Sequence, residues 1–124
     1  MKRARPKNLN LLSIRLPLPA LVSILHRASG FLLFLALPFL LFGLQSSLRS
    51  AAQFQHIAEM LSQPAAKLLM LVLAWAAIHH LLAGIRHLAM DMHWGLTLPE
   101  ARTTARMLLL SSAILTFLIA IWLW

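Results

Sequence analysis

Three long apolar stretches dominate the chain, at about residues 21–48, 65–90 and 102–124, separated by polar or basic segments. The block from Phe31 to Leu44, FLLFLALPFLLFGL, contains no charged or strongly polar side chain. A membrane-crossing helix needs about 20 predominantly apolar residues, and each stretch meets that length. The alternative spanning solution, a closed β-barrel, requires strands that alternate apolar and polar positions. These blocks do not alternate. The pattern therefore predicts an all-α integral membrane protein with three transmembrane helices.

The segment AAQFQHIAEMLSQPAA between the first two stretches is mildly amphipathic, and Pro64 suits the first turn of the second span. No internal repeat or flexible linker interrupts the pattern, so residues 1–124 are expected to form a single membrane-anchor domain. The first span begins inside the chain, lacks a small-residue cleavage site and is followed by two more spans. It is expected to remain a span and not to be removed as a signal peptide. Residues 1–20 are basic and hold Pro6, Pro17 and Pro19, which oppose a regular helix leading into the bilayer. They are expected to lie along the cytoplasmic surface, against anionic headgroups or a partner protein.

Composition sharpens this picture. Apolar residues make up 60% of the 124-residue chain and charged residues only 11%, with a mean hydropathy of +0.80. A soluble domain carries roughly a quarter of its residues charged. The formal charge of +8 would suit nucleic acid only if it were displayed on a soluble fold. Cysteine is absent, which excludes disulfides, thiolate metal sites, cysteine nucleophiles, cysteine-ligated iron–sulfur clusters and covalent c-type haem. The basic residues are unevenly placed. Nine (Lys2, Arg3, Arg5, Lys7, Arg15, Arg27, Arg86, Arg102, Arg106) adjoin the amino terminus or the connection between the second and third spans, against two (Arg49, Lys67) in the other connection. That bias predicts a cytoplasmic amino terminus and a carboxy terminus on the far side, where Trp122 and Trp124 suit an interfacial belt.

Ionisable groups within spans are costly and mark function by default. Two clusters qualify. In the first, Ser23, Arg27 and Gly30 share a helix face at about 100° per residue, with His26 slightly to the side. A hydroxyl one turn from a guanidinium offers converging donors for a carbonyl or an anionic headgroup. Alternatively, Arg27 snorkels to the interface and Ser23 bonds back to its own helix. In the second cluster, His80, Gly84, His87 and Asp91 form one stripe at intervals of four, three and four residues. His80 lies deepest, and a neutral imidazole there needs a partner that a metal can supply. Gly84 would leave a notch for a macrocycle, and a single axial histidine is a known way to hold haem. The alternative is a histidine hydrogen-bonded across a helix interface, with Gly84 serving tight packing. His79 points elsewhere and is expected to pack or hydrogen-bond. Asp91, beside Arg86 and His87 at the cytoplasmic end, fits either an interfacial salt bridge or proton delivery. His56, Glu59 and His93 lie in connections, where solvated roles are expected.

The motifs Arg5-Pro6-x-Asn8-Leu9-x-Leu11, Ile14-Arg15-x-Pro17, Ser23-Ile-Leu-His26-Arg27-x-Ser29-Gly30 and His80-x-x-x-Gly84-Ile85-Arg86-His87-x-x-x-Asp91 occur in that order. With the three-span layout, they resemble the cytochrome b large membrane-anchor subunit of succinate dehydrogenase, respiratory complex II. The resemblance covers almost the whole chain. It implies a bundle completed by a second small anchor subunit, docked to an iron–sulfur subunit and a flavoprotein subunit in a bacterial inner membrane. It implies haem b between the anchors, with His80 as the axial ligand from this chain and the second ligand from the partner. It also implies that Ser23 and Arg27 line a ubiquinone pocket, that His26, Arg27 and His87 are candidates for the haem propionates, and that Asp91 orients the pocket or passes protons. The absence of tyrosine and cysteine agrees, since the family's quinone-contacting tyrosine and its clusters belong to other subunits. No succinate site is expected in this chain. The alternatives are the same role in a quinol:fumarate reductase, a purely structural tether, and a small multidrug-type transporter. The transporter ranks last because Asp91 sits at a span end.

Overall fold

A computed structural model of the chain describes residues 16–124. The motif residues from Arg5 to Arg15, and most of the expected surface segment, lie outside the described residues. Four helices follow in order: α1 (Leu18–Ser47), α2 (Ala51–Ser62), α3 (Pro64–Asp91) and α4 (Leu98–Leu123). Of these, α1, α3 and α4 are long and apolar enough to cross a membrane.

The helix ends explain where the expected boundaries shift. Pro17 is the N-cap of α1 and Pro19 falls in its first turn, where the missing N–H would be unpaired in any case. The span therefore starts at Leu18, inside the segment expected to lie on the surface. Farther along, Pro38 sits in the interior of α1, which removes one intrahelical bond. The amphipathic connection is a helix of its own. The Ser50 hydroxyl accepts from the Gln53 backbone N–H at 3.2 Å and starts α2, and extended Gln63 ends it because Pro64 disfavours a helical residue before it. The carboxy end of α3 closes with Trp94 N–H bonded to the Ala89 carbonyl at 3.0 Å and His93 N–H to that of Met90 at 3.0 Å. His93 occupies the left-handed region (φ 65°) there, the geometry of a Schellman cap. Helix α4 starts four residues before the expected span. Its Glu100 carboxylate accepts from the Thr97 backbone N–H at 3.3 Å and from the Thr97 hydroxyl at 2.7 Å, a capping arrangement legible in Thr97-x-x-Glu100.

Helices α1, α3 and α4 form an antiparallel bundle whose tight core sits at one end. It consists of Val22, Ala83, Ala105 and Leu108, with Leu18, Leu82 and Leu109 packed against it. Small residues dominate because helices in lipid associate by close packing and hydrogen bonds, with no hydrophobic force pushing them together. The large apolar side chains point outward, among them Phe34, Phe39, Phe42, Phe117 and Trp122, as suits contact with hydrocarbon or another apolar protein surface.

Cationic side chains pin α3 to α4 at both ends. Arg86 donates from Nε to Thr104 Oγ1 at 3.1 Å and from Nη2 to the Ala101 carbonyl at 3.3 Å. At the other end, Lys67 Nζ donates to the Leu123 carbonyl at 2.9 Å and lies 5.4 Å from the Trp124 ring centre. Replacing Arg86 with Met keeps the aliphatic stem and removes both bonds. Hydrogen bonds from charged groups contribute about 1.5–3 kcal/mol each where they are well shielded, and less at an exposed end. Arg86→Met is therefore expected to lower the thermal unfolding midpoint of the detergent-solubilised protein, and Thr104→Ala to lower it by less.

Candidate functional site

The two clusters marked in the sequence meet where α1 crosses α3. Each helix presents a glycine to an imidazole of the other. At Gly30, a Cβ would stand 2.7 Å from Cε1 and 3.1 Å from Nδ1 of His80, so the ring lies where a side chain of α1 would otherwise be. At Gly84, a Cβ would meet only His26 Nε2, at 3.7 Å, an ordinary contact. The notch expected at Gly84 therefore faces His26, and the glycine that His80 depends on is Gly30.

His26 is stacked on both α3 imidazoles. Its ring centre is 4.3 Å from that of His80 at an interplanar angle of 18°. It is 4.9 Å from that of His87 at 22°. Seven residues of helix rise by about 10.5 Å, so His26 fills the gap between His80 and His87. The result is a ladder of three near-parallel rings running inward from the helix ends.

The polar contacts of His80 Nδ1 bear on which ring nitrogen carries the proton. Nδ1 lies 3.1 Å from the His26 carbonyl oxygen, and a carbonyl only accepts, so Nδ1 is the donor. The Ser29 hydroxyl donates its single proton to the same carbonyl at 2.9 Å and stands 3.4 Å from Nδ1. With the proton on Nδ1, Nε2 of the neutral imidazole keeps its lone pair. His87 follows the same rule, since its Nδ1 lies 2.6 Å from the Ala83 carbonyl of its own helix.

The other marked residues separate. Arg27 is exposed and Ser23 half-buried. Arg27 donates from Nε to the Ser23 backbone carbonyl at 3.4 Å, which leaves further guanidinium donors facing outward. Asp91 is exposed at the last turn of α3, one turn beyond His87. Arg86, which the sequence groups with Asp91, is turned to α4 instead. His79 is fully buried, and neither ring nitrogen has a hydrogen-bond partner among the described residues. It stacks on Trp75 at 5.4 Å between ring centres, so it is a packing residue of the bundle interior. Sequence reasoning left Ser29 without a role, although a serine three residues after His26 on a helix can back-bond to that carbonyl. Two apolar grooves lie away from the cluster. One of about 670 Å³ runs between α1, α2 and α3 past Phe39, Gly43 and Phe54, and one of about 380 Å³ between α3 and α4 past Arg86 and Trp94.

Residues 1–119 match the family described as "Succinate dehydrogenase/Fumarate reductase transmembrane subunit". The chain belongs to this family. It is 38% identical over 125 residues to the succinate dehydrogenase cytochrome b556 subunit of Coxiella burnetii (strain RSA 493 / Nine Mile phase I), covering all of both chains. It is 30% identical over 114 residues to the subunit of the same name from Paracoccus denitrificans, covering 92% of this chain and 88% of that one. The family match takes in α1 and α3 whole, most of α4 and every residue of the imidazole ladder. Within this family member, the geometry separates the two glycines experimentally. Gly84→Ala is expected to be tolerated, with the assembled membrane protein recovered at the unmodified level and its unfolding midpoint within about 0.5 kcal/mol equivalent, as for substitutions that meet no close neighbour.

Proposed function

We propose that this chain is the haem- and quinone-binding membrane anchor of a succinate:ubiquinone oxidoreductase. The observation that carries the reading is the contact of His80 Nδ1 with the His26 backbone carbonyl. The ring's Nδ1–H is held by a backbone carbonyl, the arrangement common to metal-bound histidines, and Nε2 is left as a ligand atom within a membrane helix. The donor set around it suits haem b. His26 and His87 stand beside His80, and Arg27 follows His26, so imidazole and guanidinium groups are available to haem carboxylates through charge-assisted hydrogen bonds. The similarity to chains named cytochrome b556 subunits supports the same reading. Haem b supplies a one-electron redox centre when bound. His80 would be one axial ligand, and the second would come from a partner anchor subunit.

Ser23 and Arg27 occupy the cytoplasmic entrance of α1 in this reading. There they meet the quinone headgroup beside an iron–sulfur subunit, which a flavoprotein subunit supplies with electrons from succinate. Ubiquinone takes up two electrons and two protons to become ubiquinol. The Ser23 hydroxyl donates to one quinone carbonyl, while the Arg27 guanidinium stabilises negative charge developing on the headgroup oxygens. Asp91, exposed one turn from His87, orients the pocket or passes protons from the aqueous phase. The chain acts as a single anchor domain in a bacterial inner membrane, with its amino terminus cytoplasmic and its carboxy terminus periplasmic. The family description also covers fumarate reductases. The two relatives, both named as succinate dehydrogenase subunits, favour succinate oxidation as the physiological direction.

Two variants of the complex, expressed with its partners, test this reading. His80→Ala is expected to abolish or shift the b-type band in the reduced-minus-oxidised spectrum, and an unchanged band would move the ligand to another histidine. Arg27→Ala is expected to slow succinate:quinone turnover on the order of 100-fold, the scale for losing one charge-stabilising donor. Succinate oxidation by a soluble artificial acceptor should be much less affected. Equal loss in both assays would assign Arg27 to assembly.

A further inference from the structure

We propose that Ser29 and Gly30 set the donor strength and orientation of His80 as an iron ligand, acting through the one carbonyl oxygen of His26. This rests on the assignment of His80 as the axial ligand.

Three donors converge on that oxygen. The Ser29 hydroxyl reaches it at 2.9 Å and His80 Nδ1 at 3.1 Å. The backbone N–H of Gly30, four residues on in the same helix, addresses it as the ordinary α-helical partner. A carbonyl oxygen has two lone pairs, so three donors share its capacity and each weakens the others. Ser29 is 1% exposed, so its hydroxyl has no water to turn to. Its oxygen also stands 3.4 Å from Nδ1, which keeps it beside the N–H it competes with.

The consequence for the ligand has a definite sign. A histidine whose Nδ1–H is held more tightly donates more strongly from Nε2. Stronger donation favours oxidised iron and lowers the reduction potential, since outer hydrogen bonds and ligand character are levers on haem potential. Ser29 moderates that bond by drawing on the same carbonyl. Removing its hydroxyl leaves more of the acceptor to His80 and drives the potential down. Gly30 acts in the other direction. An alanine Cβ would fall 2.7 Å from His80 Cε1 and 3.1 Å from Nδ1. The atoms that must yield belong to the His80 side chain, so the ring moves off the carbonyl. Loss of the Nδ1 bond weakens the donor and raises the potential, or loosens the haem altogether.

The test is a spectroelectrochemical titration of the haem in the assembled complex, purified through a tag on this chain, for the unmodified protein, Ser29→Ala, Gly30→Ala and His80→Ala. Ser29→Ala is expected to retain full haem content with a more negative midpoint. Gly30→Ala is expected to show a more positive midpoint or a fractional loss of haem. An unchanged or more positive midpoint in Ser29→Ala, or loss of its haem, overturns the proposal. An unmoved midpoint in Gly30→Ala at full haem content overturns the part assigned to Gly30. If Gly30→Ala fails to assemble, the Ser29→Ala result decides alone. The control separates the two levels of inference. Haem lost from His80→Ala with Ser29→Ala unmoved sinks only the tuning by Ser29, whereas haem unchanged in His80→Ala sinks the ligand assignment beneath it.

Discussion

Everything at the imidazole-ladder end of this bundle depends on how closely α1 and α3 cross. Lipid supplies no hydrophobic force to bring two apolar helices together, so approach must come from small residues and from hydrogen bonds between helices. Gly30 provides the first. The nearest atom of the His80 ring lies 2.7 Å from where a Cβ would stand, well inside van der Waals contact, a position no other residue type leaves open. Hydrogen bonding follows from that approach, because the same placement brings Nδ1 to the His26 carbonyl. The same approach sets His26 between His80 and His87, whose spacing along α3 leaves room for one ring. One missing side chain thus sets the tautomer of one imidazole and the packing of three.

The rest of the molecule is arranged around that crossing. Buried residues of α1, α3 and α4 gather at the same end as the ladder, where Val22, Ala83 and Ala105 let the three helices close. Farther along, the helices present large apolar side chains outward. Arg86 and Lys67 hold α4 in register with α3 through backbone carbonyls, so the helix that contributes nothing to the ladder still fixes the one that does. The proposed ligand therefore stands at the tight crossing of α1 and α3, while the side chains of Arg27 and Asp91, proposed to serve quinone and protons, are exposed. That division suits a centre that holds an electron beside a pocket that exchanges its occupant with the membrane.

His79 shows the cost such a bundle tolerates. Its imidazole is fully enclosed with both nitrogens unpartnered among the described residues. An unpaired buried polar group costs on the order of 1–3 kcal/mol, reduced here by the nearby backbone of Val22 and by stacking on Trp75. Its neighbour His80, one residue along and turned by about 100°, has its Nδ1 proton satisfied. The contrast between two adjacent histidines comes from which face of α3 meets a glycine.

The amino-acid sequence alone makes three membrane crossings legible, because spanning depends on apolar content summed along about 20 residues, a one-dimensional property. It also placed Ser23, His26 and Arg27 on one helix and His80, His87 and Asp91 on another, since a single helix period suffices for that. The cap patterns Ser50-x-x-Gln53 and Thr97-x-x-Glu100 at the starts of α2 and α4 stand in the sequence but played no part in its reading, which began the third span at about residue 102, and 12 residues of modest amphipathicity left α2 unmarked as a helix. The packing of the helices, by contrast, sets His80 against Gly30 and His26 against Gly84, turns Arg86 to α4 and away from Asp91, and gives Ser29 and His80 a shared acceptor. Each of these depends on the rotation and relative height of two helices, and no periodicity within either helix encodes that relation.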